Sequence, residues 1–249
     1  MINLTVDIGN SSVKIAVFNG TDLIFTEHLS TLNNDYIYQI KDTYQVKNLI
    51  ISSVKQEIDI DEKELKQQFN YIRLNHKTVV PIKNEYKSKD TLGLDRLAAV
   101  VGAKHIYPTD CVLVIDAGTC ITYDVVDKTG TYYGGSISPG IDMRFAAMHH
   151  FTSKLPLVEF DNTFIKAYGE NSEEAIVSGA INGVAYEAEG FINAQLASQP
   201  NTKIILCGGN ASFFDSRFKN SIFAHLVLYE PNLVLIGLNT IVNYQHDHK

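Results

Sequence analysis

The sequence predicts an α/β protein made of two like halves, on three observations. Runs rich in β-branched residues alternate with segments whose apolar residues recur at helical spacing. An acid, a glycine and hydroxyl residues follow an apolar run twice, in Leu4-Thr-Val-Asp7-Ile8-Gly9-Asn10-Ser11-Ser12-Val13-Lys14 and in Val112-Leu-Val-Ile-Asp116-Ala-Gly118-Thr119-Cys-Ile-Thr122-Tyr-Asp124. Both strings open the same element order: strand, strand, strand, helix, strand, helix, strand. The turn Tyr107-Pro108-Thr109-Asp110 is the natural boundary, giving domains 1–110 and 111–249.

In the first half, strands at Ile2–Val6, Val13–Phe18 and Leu23–Thr26 form a meander, with Asn19-Gly20 and Asp22 supplying turn chemistry. Tyr36, Ile37, Ile40 and Tyr44 mark one face of a helix over Asp35–Tyr44, and Asn48–Val54 is a β-branched strand, so the pair implies a crossover. Asp59–Asn70 reads as an exposed helix with Ile58, Ile60, Leu65 and Phe69 inward, followed by a strand at Tyr71–Leu74. Lys77–Thr91, carrying Pro81 and Tyr86, reads as a surface loop. Leu97–Ile106 is a helix with a small-residue face of Ala98, Ala99, Gly102 and Ala103.

In the second half, Asp127-Lys-Thr-Gly130 links the Asp116 hairpin to a strand that Pro139-Gly140 stops. Asp142–His150 follows as a helix expected to bury Met143, Phe145, Ala146 and Met148. Polar Thr152–Asn171 leads to a long helix, Glu173–Ser198, and a strand at Lys203–Leu206. Cys207-Gly208-Gly209-Asn210 turns into a helix, Ala224–Tyr229 is a strand, and Asn232–Tyr244 is the last helix, with Gln245–Lys249 expected to fray.

Composition narrows the function classes. At 45% hydrophobic and 20% charged, 249 residues suffice for a sizeable core. A net charge of −7 argues against a basic face for nucleic acid. Cys111, Cys120 and Cys207 are odd in number, form no CxxC pair and sit in apolar surroundings, so buried free thiols in a reducing compartment are expected. No basic, apolar leader opens the sequence and no window approaches about 18 apolar residues, so a soluble, cytoplasmic protein without a membrane partner is expected.

Neither a GxxxxGK[ST] loop nor a helix-opening GxGxxG is present, so any nucleotide has to be held by the hairpins. Gly9 and Gly118 admit close backbone approach, the turn N–H groups and hydroxyls can donate to phosphate oxygens, and Asp7 and Asp116 can take a cation directly or through water. Either hairpin alone also reads as an ordinary β-turn; two copies favour a magnesium nucleotide held between the halves. Asp95-Arg96 beside Gly93 puts a base and a fixed cation at a helix N-terminus, which suits an alcohol acceptor carrying negative charge; an N-capping aspartate with a surface arginine is the other reading. Cys207-Gly208-Gly209-Asn210 is either a tight turn or a bed for a flat ring, and Gly134-Gly135 and Pro139-Gly140 read first as turn and bulge residues. His149-His150 and His246 with His248 are not expected to bind metal.

These strings resemble the type III pantothenate kinases, members of the actin-like, acetate-and-sugar-kinase superfamily. That fold is a duplicated ribonuclease-H-like (actin-like ATPase) α/β fold with mixed five-stranded sheets flanked by helices. Asp7 to Lys14 looks like the first phosphate motif, Leu92-Gly93-Leu94-Asp95-Arg96 like the substrate and catalytic motif, Asp116 to Thr122 like the second phosphate motif, and Gly134-Gly-Ser-Ile-Ser-Pro-Gly140 like the family's strand end. The resemblance implies ATP-dependent phosphorylation of pantothenate at its primary hydroxyl, the first step toward coenzyme A, with Mg2+ and a monovalent cation, K+ or NH4+. It makes Asp95 the proton acceptor and places Tyr86, Gly93, Leu94, Arg96 and Ser172 on the pantothenate side. Asp7, Ile8, Gly9, Asn10, Ser11, Ser12, Val13, Lys14 and Thr119 would hold ATP phosphates, and Asp116 would ligate the monovalent cation. A homodimer with its pocket completed by the second subunit is also implied, the long helix near Glu173 making that contact.

Two departures stand out. Ser172 replaces the family's usual threonine but keeps a hydroxyl, and Lys89 stands where a proline often follows the tyrosine, which leaves the loop around Tyr86 less defined. Two rivals remain, a kinase for another small alcohol on the same scaffold and a non-catalytic nucleotide-binding accessory or regulatory protein. Asp95 speaks against the second, since a pure binder needs no proton acceptor.

Overall fold

The computed structural model describes residues 1–55, 60–159 and 166–247; Ile58 and His248 lie outside them. The opening meander is β1 (Ile2–Ile8), β2 (Val13–Asn19) and β3 (Asp22–Leu29), antiparallel throughout. Helix α1 (Asn34–Tyr44) starts where the Asn33 side chain accepts the Tyr36 N–H and stops at Gln45, which adopts a left-handed φ of 56°. The chain returns as β4 (Asn48–Ser53), parallel to β1, then as α2 (Glu62–Gln68), capped by Asp61, and as β5 (Asn70–Arg73), parallel to β4. The sheet order is β3-β2-β1-β4-β5.

Side-chain alternation gives this sheet two buried faces. Leu4, Val6, Ile8, Leu49 and Ile51 pack with Ile37, Ile40, Leu65 and Phe69. Facing the other way, Asn3 meets helix α7 (Leu233–Asp247), which packs on α3 (Leu94–Ile106). These two helices cross closely: a Cβ on Gly237 would lie 1.8 Å from the Ala98 carbonyl oxygen, and one on Gly102 2.5 Å from that of Leu233. Asn3, Asn48 and Asn70 occupy paired positions on β1, β4 and β5 and form a side-chain ladder. The Asn3 amide continues it to Asn239 at 2.7 Å and Asn243 at 2.8 Å on α7.

The second sheet is formed by β6 (Lys83–Asn84), β7 (Val112–Ala117), β8 (Cys120–Val126), β9 (Thr131–Pro139), β10 (Lys203–Cys207) and β11 (Val227–Tyr229). Its order, β11-β10-β7-β8-β9-β6, repeats that of the first sheet and adds β6 at the β9 edge. Its helices are α4 (Ile141–His150), α5 (Ser172–Ser198) and α6 (Ala211–Phe218). Apolar residues of α5, among them Ile181, Val184 and Ala188, pack against Leu113, Ile115 and Leu206.

By contacts the chain forms two compact units. One comprises Met1–Thr109, Val126–Tyr133 and Asn232–Lys249; the other comprises Asp110–Val125 and Gly134–Pro231. Thus α7 and the β8–β9 turn group with the first half.

Several local expectations need correction. The Lys77–Thr91 loop contains β6 and a 3-10 turn at Lys89–Thr91. In α4 only Ile141 and Phe145 are buried, while Met143 and Ala146 are exposed: apolar residues surround this helix, so composition alone does not select the inward face. Helix α7 carries Gln245–Asp247 instead of fraying there, and the Gln245 side chain donates to the Val79 carbonyl. Cys207 is buried, whereas Cys111 and Cys120 are only half-buried; all three are free. No helix among the described residues is long and apolar enough to cross a membrane.

Candidate active site

In the first unit, β1 and β2 pair Asp7 with Lys14 and Ile8 with Val13. The turn closes where the Gly9 N–H donates to the Ser12 carbonyl at 2.9 Å. A Cβ at Gly9 would sit 3.2 Å from that oxygen, so the tight turn favours glycine. Asn10 and Ser11 are exposed at the tip, and Asp7, Ser12 and Lys14 are half-buried. Parallel pairing sets Ser52 beside Asp7. The Ser52 hydroxyl is buried and has no hydrogen-bond partner among the described residues. An orphaned hydroxyl next to a carboxylate suits a polar guest such as a hydrated cation.

Helix α3 begins at Gly93, which offers no side-chain cap, and the Asp95 Oδ1 accepts the Arg96 N–H at 2.8 Å. The carboxylate therefore lies in the helix's first turn, where the macrodipole favours negative charge. A Cβ on Gly93 would stand 2.5 Å from this oxygen, so the missing side chain keeps the carboxylate's space open. Asp95 is not the N-cap, and Arg96 is only 6% exposed, which removes the reading of a capping aspartate with a surface arginine. The Arg96 guanidinium lies over the half-buried Tyr86 ring, 5.7 Å from its centroid. Leu94 is half-buried as the first residue of the helix.

In the second unit, Asp116 sits near the end of β7, and the Gly118 N–H donates to the Cys120 carbonyl at 3.0 Å. Thr119 is exposed at the tip, and its carbonyl accepts the Gly140 N–H at 3.1 Å. Gly208, at φ +92°, brings the β10–α6 turn against the same hairpin: a Cβ there would lie 2.4 Å from the Asp116 Oδ1. The Asn210 N–H donates to the Ala117 carbonyl at 2.8 Å. Tight-turn geometry thus accounts for Cys207-Gly208-Gly209-Asn210. The Thr122 hydroxyl, on the strand following Asp116, is likewise buried without a hydrogen-bond partner among the described residues. Ser172 is exposed on the first turn of α5, on a different element from the hairpin.

Sequence reasoning missed a polar cluster in this unit. Glu187 of α5 accepts the Tyr123 hydroxyl at 2.9 Å and binds Arg144 of α4 at 2.6 Å, while Arg144 also donates to Ser138 at 2.8 Å. Burial pushes the Glu187 carboxyl up, but hydrogen bonds from Arg144, Ser138 and Tyr123 outweigh it and hold the group below its ordinary range. The Tyr123 phenol is pushed up by burial first and then by Glu187. Its members come from four elements, so no local pattern signals the cluster.

The donor set fits a magnesium nucleotide. Hairpin amides, hydroxyls and the Lys14 ammonium suit phosphate oxygens. No group of three or more His, Cys, Asp or Glu that could hold a metal ion converges among the described residues.

Comparison with solved structures shows the fold. A structure described as a Baf family transcriptional activator from Campylobacter jejuni aligns with a TM-score of 0.64 at 22% identity, covering 98% of this chain and 99% of that one. The activator of the 2-hydroxyisocaproyl-CoA dehydratase from Clostridium difficile, solved with bound ADPNP, aligns with a TM-score of 0.56 at 11% identity, covering 100% and 97%. The chain is 42% identical over 244 residues to the type III pantothenate kinase of Phocaeicola vulgatus, with 98% of each covered. It is 40% identical over 243 residues to that of Cytophaga hutchinsonii, covering 98% of this chain and 99% of the relative. The family model described as type III pantothenate kinase matches residues 3–194. With duplicated sheets, paired acid-glycine hairpins and full-length relatives in agreement, this chain belongs to the type III pantothenate kinase family.

Proposed function

We propose that this chain transfers the γ-phosphate of ATP to the primary hydroxyl of pantothenate, giving 4'-phosphopantothenate in the first step of coenzyme A biosynthesis, with Asp95 as proton acceptor. The observation that carries the residue assignment is the Asp95 carboxylate, anchored through one oxygen on the Arg96 N–H in the first turn of α3. Gly93, Leu94, Arg96 and Tyr86 then form the pantothenate side, Arg96 meeting its carboxylate. Asp7 to Lys14 and Thr119 contact the ATP phosphates. Magnesium, when bound with ATP, neutralises phosphate charge, and the rest of the catalysis is positioning. Asp116 holds a monovalent cation, K+ or NH4+. The working form is a cytoplasmic homodimer whose pocket is completed by the second subunit through the long helix near Glu173, with Ser172 on the pantothenate side.

The test is ADP release by the purified protein with ATP and Mg2+, with and without pantothenate, in K+ and in Na+. ADP formation should require pantothenate, fall in Na+, and drop about 10²–10⁴-fold in Asp95→Asn while nucleotide binding persists. Pantothenate-independent turnover, or an Asp95→Asn protein as active as the parent, would sink the assignment.

A further inference from the structure

Tyr132 is a fully buried aromatic on β9 with no role in the scheme above. Its ring stacks on Tyr86, with centroids 6.1 Å apart and planes 9° from parallel. The other partner of Tyr86 is the Arg96 guanidinium, at 5.7 Å from the ring centroid. Cation, half-buried ring and buried ring thus make a chain of three residues joined by two contacts, and all three belong to the first compact unit.

The backbone around the stack is fixed by strand pairing and hydrogen bonds. Strand β6 pairs in parallel with β9, matching Lys83 with Thr131 and Asn84 with Tyr132. The Glu85 N–H donates to the Tyr132 carbonyl at 2.8 Å, and the Tyr86 N–H to the Asn84 side chain at 3.0 Å. The turn before β9 is itself pinned: Asp127 Oδ1 accepts the Thr129 and Thr131 N–H groups at 2.8 and 2.9 Å. Residue 89 being lysine, strand pairing supplies the anchoring of the Tyr86 loop.

We propose that Tyr132 is a positioning residue for the acceptor: through Tyr86 it orients the Arg96 guanidinium, and the β8–β9 turn is the platform on which the pantothenate-binding loop is registered. This rests on the reading of Tyr86 and Arg96 as pantothenate contacts. A buried ring stacked under Tyr86 restricts its tilt, and a restricted Tyr86 limits the planes Arg96 can occupy, which matters because a guanidinium meets a carboxylate in a fixed fork geometry. Tyr132 touches no reacting atom in this scheme, so its loss acts on acceptor binding and leaves ATP use alone.

The experiment is steady-state kinetics of Tyr132→Met, which keeps an apolar side chain but loses the ring, beside Tyr132→Phe, which keeps the ring. The Met variant should raise the KM for pantothenate about three- to ten-fold, the scale of an aromatic pair, with KM for ATP and kcat little changed. The Phe variant should restore the parental value. Tyr133→Ala, at the exposed neighbouring position, should change nothing. Because the chain has no tryptophan, Tyr86→Trp adds a single reporter inside the stack. Its emission should respond saturably to pantothenate without ATP, a readout that does not depend on any Tyr132 variant folding. An unchanged KM for pantothenate in a folded Met variant, equal effects on both substrates, or failure of Phe to restore binding would each overturn the proposal, whereas a flat emission titration would overturn the reading of Tyr86 as a pantothenate contact. A parent enzyme with no pantothenate-dependent ADP release would instead overturn the functional reading beneath it.

Discussion

Gly93 separates function from stability at a single residue. Its added Cβ would collide with the Asp95 Oδ1, the end of a side chain able to swing away, and no backbone atom is among its closest contacts. Gly93→Ala should therefore fold as well as the parent yet displace the carboxylate. We expect a thermal midpoint close to the parental one and activity reduced about 10²-fold, the usual consequence of misplacing a catalytic group by about 1 Å. Parental activity in Gly93→Ala would argue against Asp95 as base. The Asp95-Arg96 pair and both hairpins were visible in the sequence because each is a contiguous string. Ser52 beside Asp7 and Tyr132 beneath Tyr86 were not, because strand pairing and loop return bring residues of distant sequence position together.

Elements were read best where periodicity was strong. The first meander and the long α5 fall close to their expected limits, whereas α4 has apolar residues all around and its buried face was misjudged. The two-residue β6 is too short for a period to register; it forms because the β9 edge offers backbone partners. The small-residue face expected on α3 has its reason in the crossing with α7, where Gly102 and Gly237 let the two backbones approach. Gly237→Ala would press a methyl group onto the Ala98 carbonyl, and only separation of the helices relieves it. Denaturant unfolding should show a loss of about 1–3 kcal/mol, typical of overpacking. An unchanged midpoint would mean that the helices slide apart freely.

Across the whole molecule, α7 is the last helix in sequence yet groups with the first unit, where it covers one face of the first sheet. The asparagine ladder reaches it through Asn239 and Asn243, so its docking is specified by buried hydrogen bonds as well as by apolar contact. Deleting residues 232–249 removes Leu233, Leu235, Leu238 and Ile241, all fully buried, at about 1.5–3 kcal/mol each. That sum is comparable with the whole stability of about 5–15 kcal/mol typical of a domain, so circular dichroism of the shortened chain should show loss of cooperative folding. A sharp, parental melting transition would contradict this packing. The sequence by itself determined the three strands that open each half, both hairpins and the Asp95 helix start, because each depends on neighbours a few residues apart through turn chemistry and side-chain period; the expected identical order of the later elements does not hold, since two helices stand between β9 and β10 and one between β3 and β4. Only the tertiary structure decided which helix covers the first sheet, which ring supports Tyr86 and which acid meets Arg144, because those contacts depend on where the sheet returns the chain and local sequence carries no signal of that return.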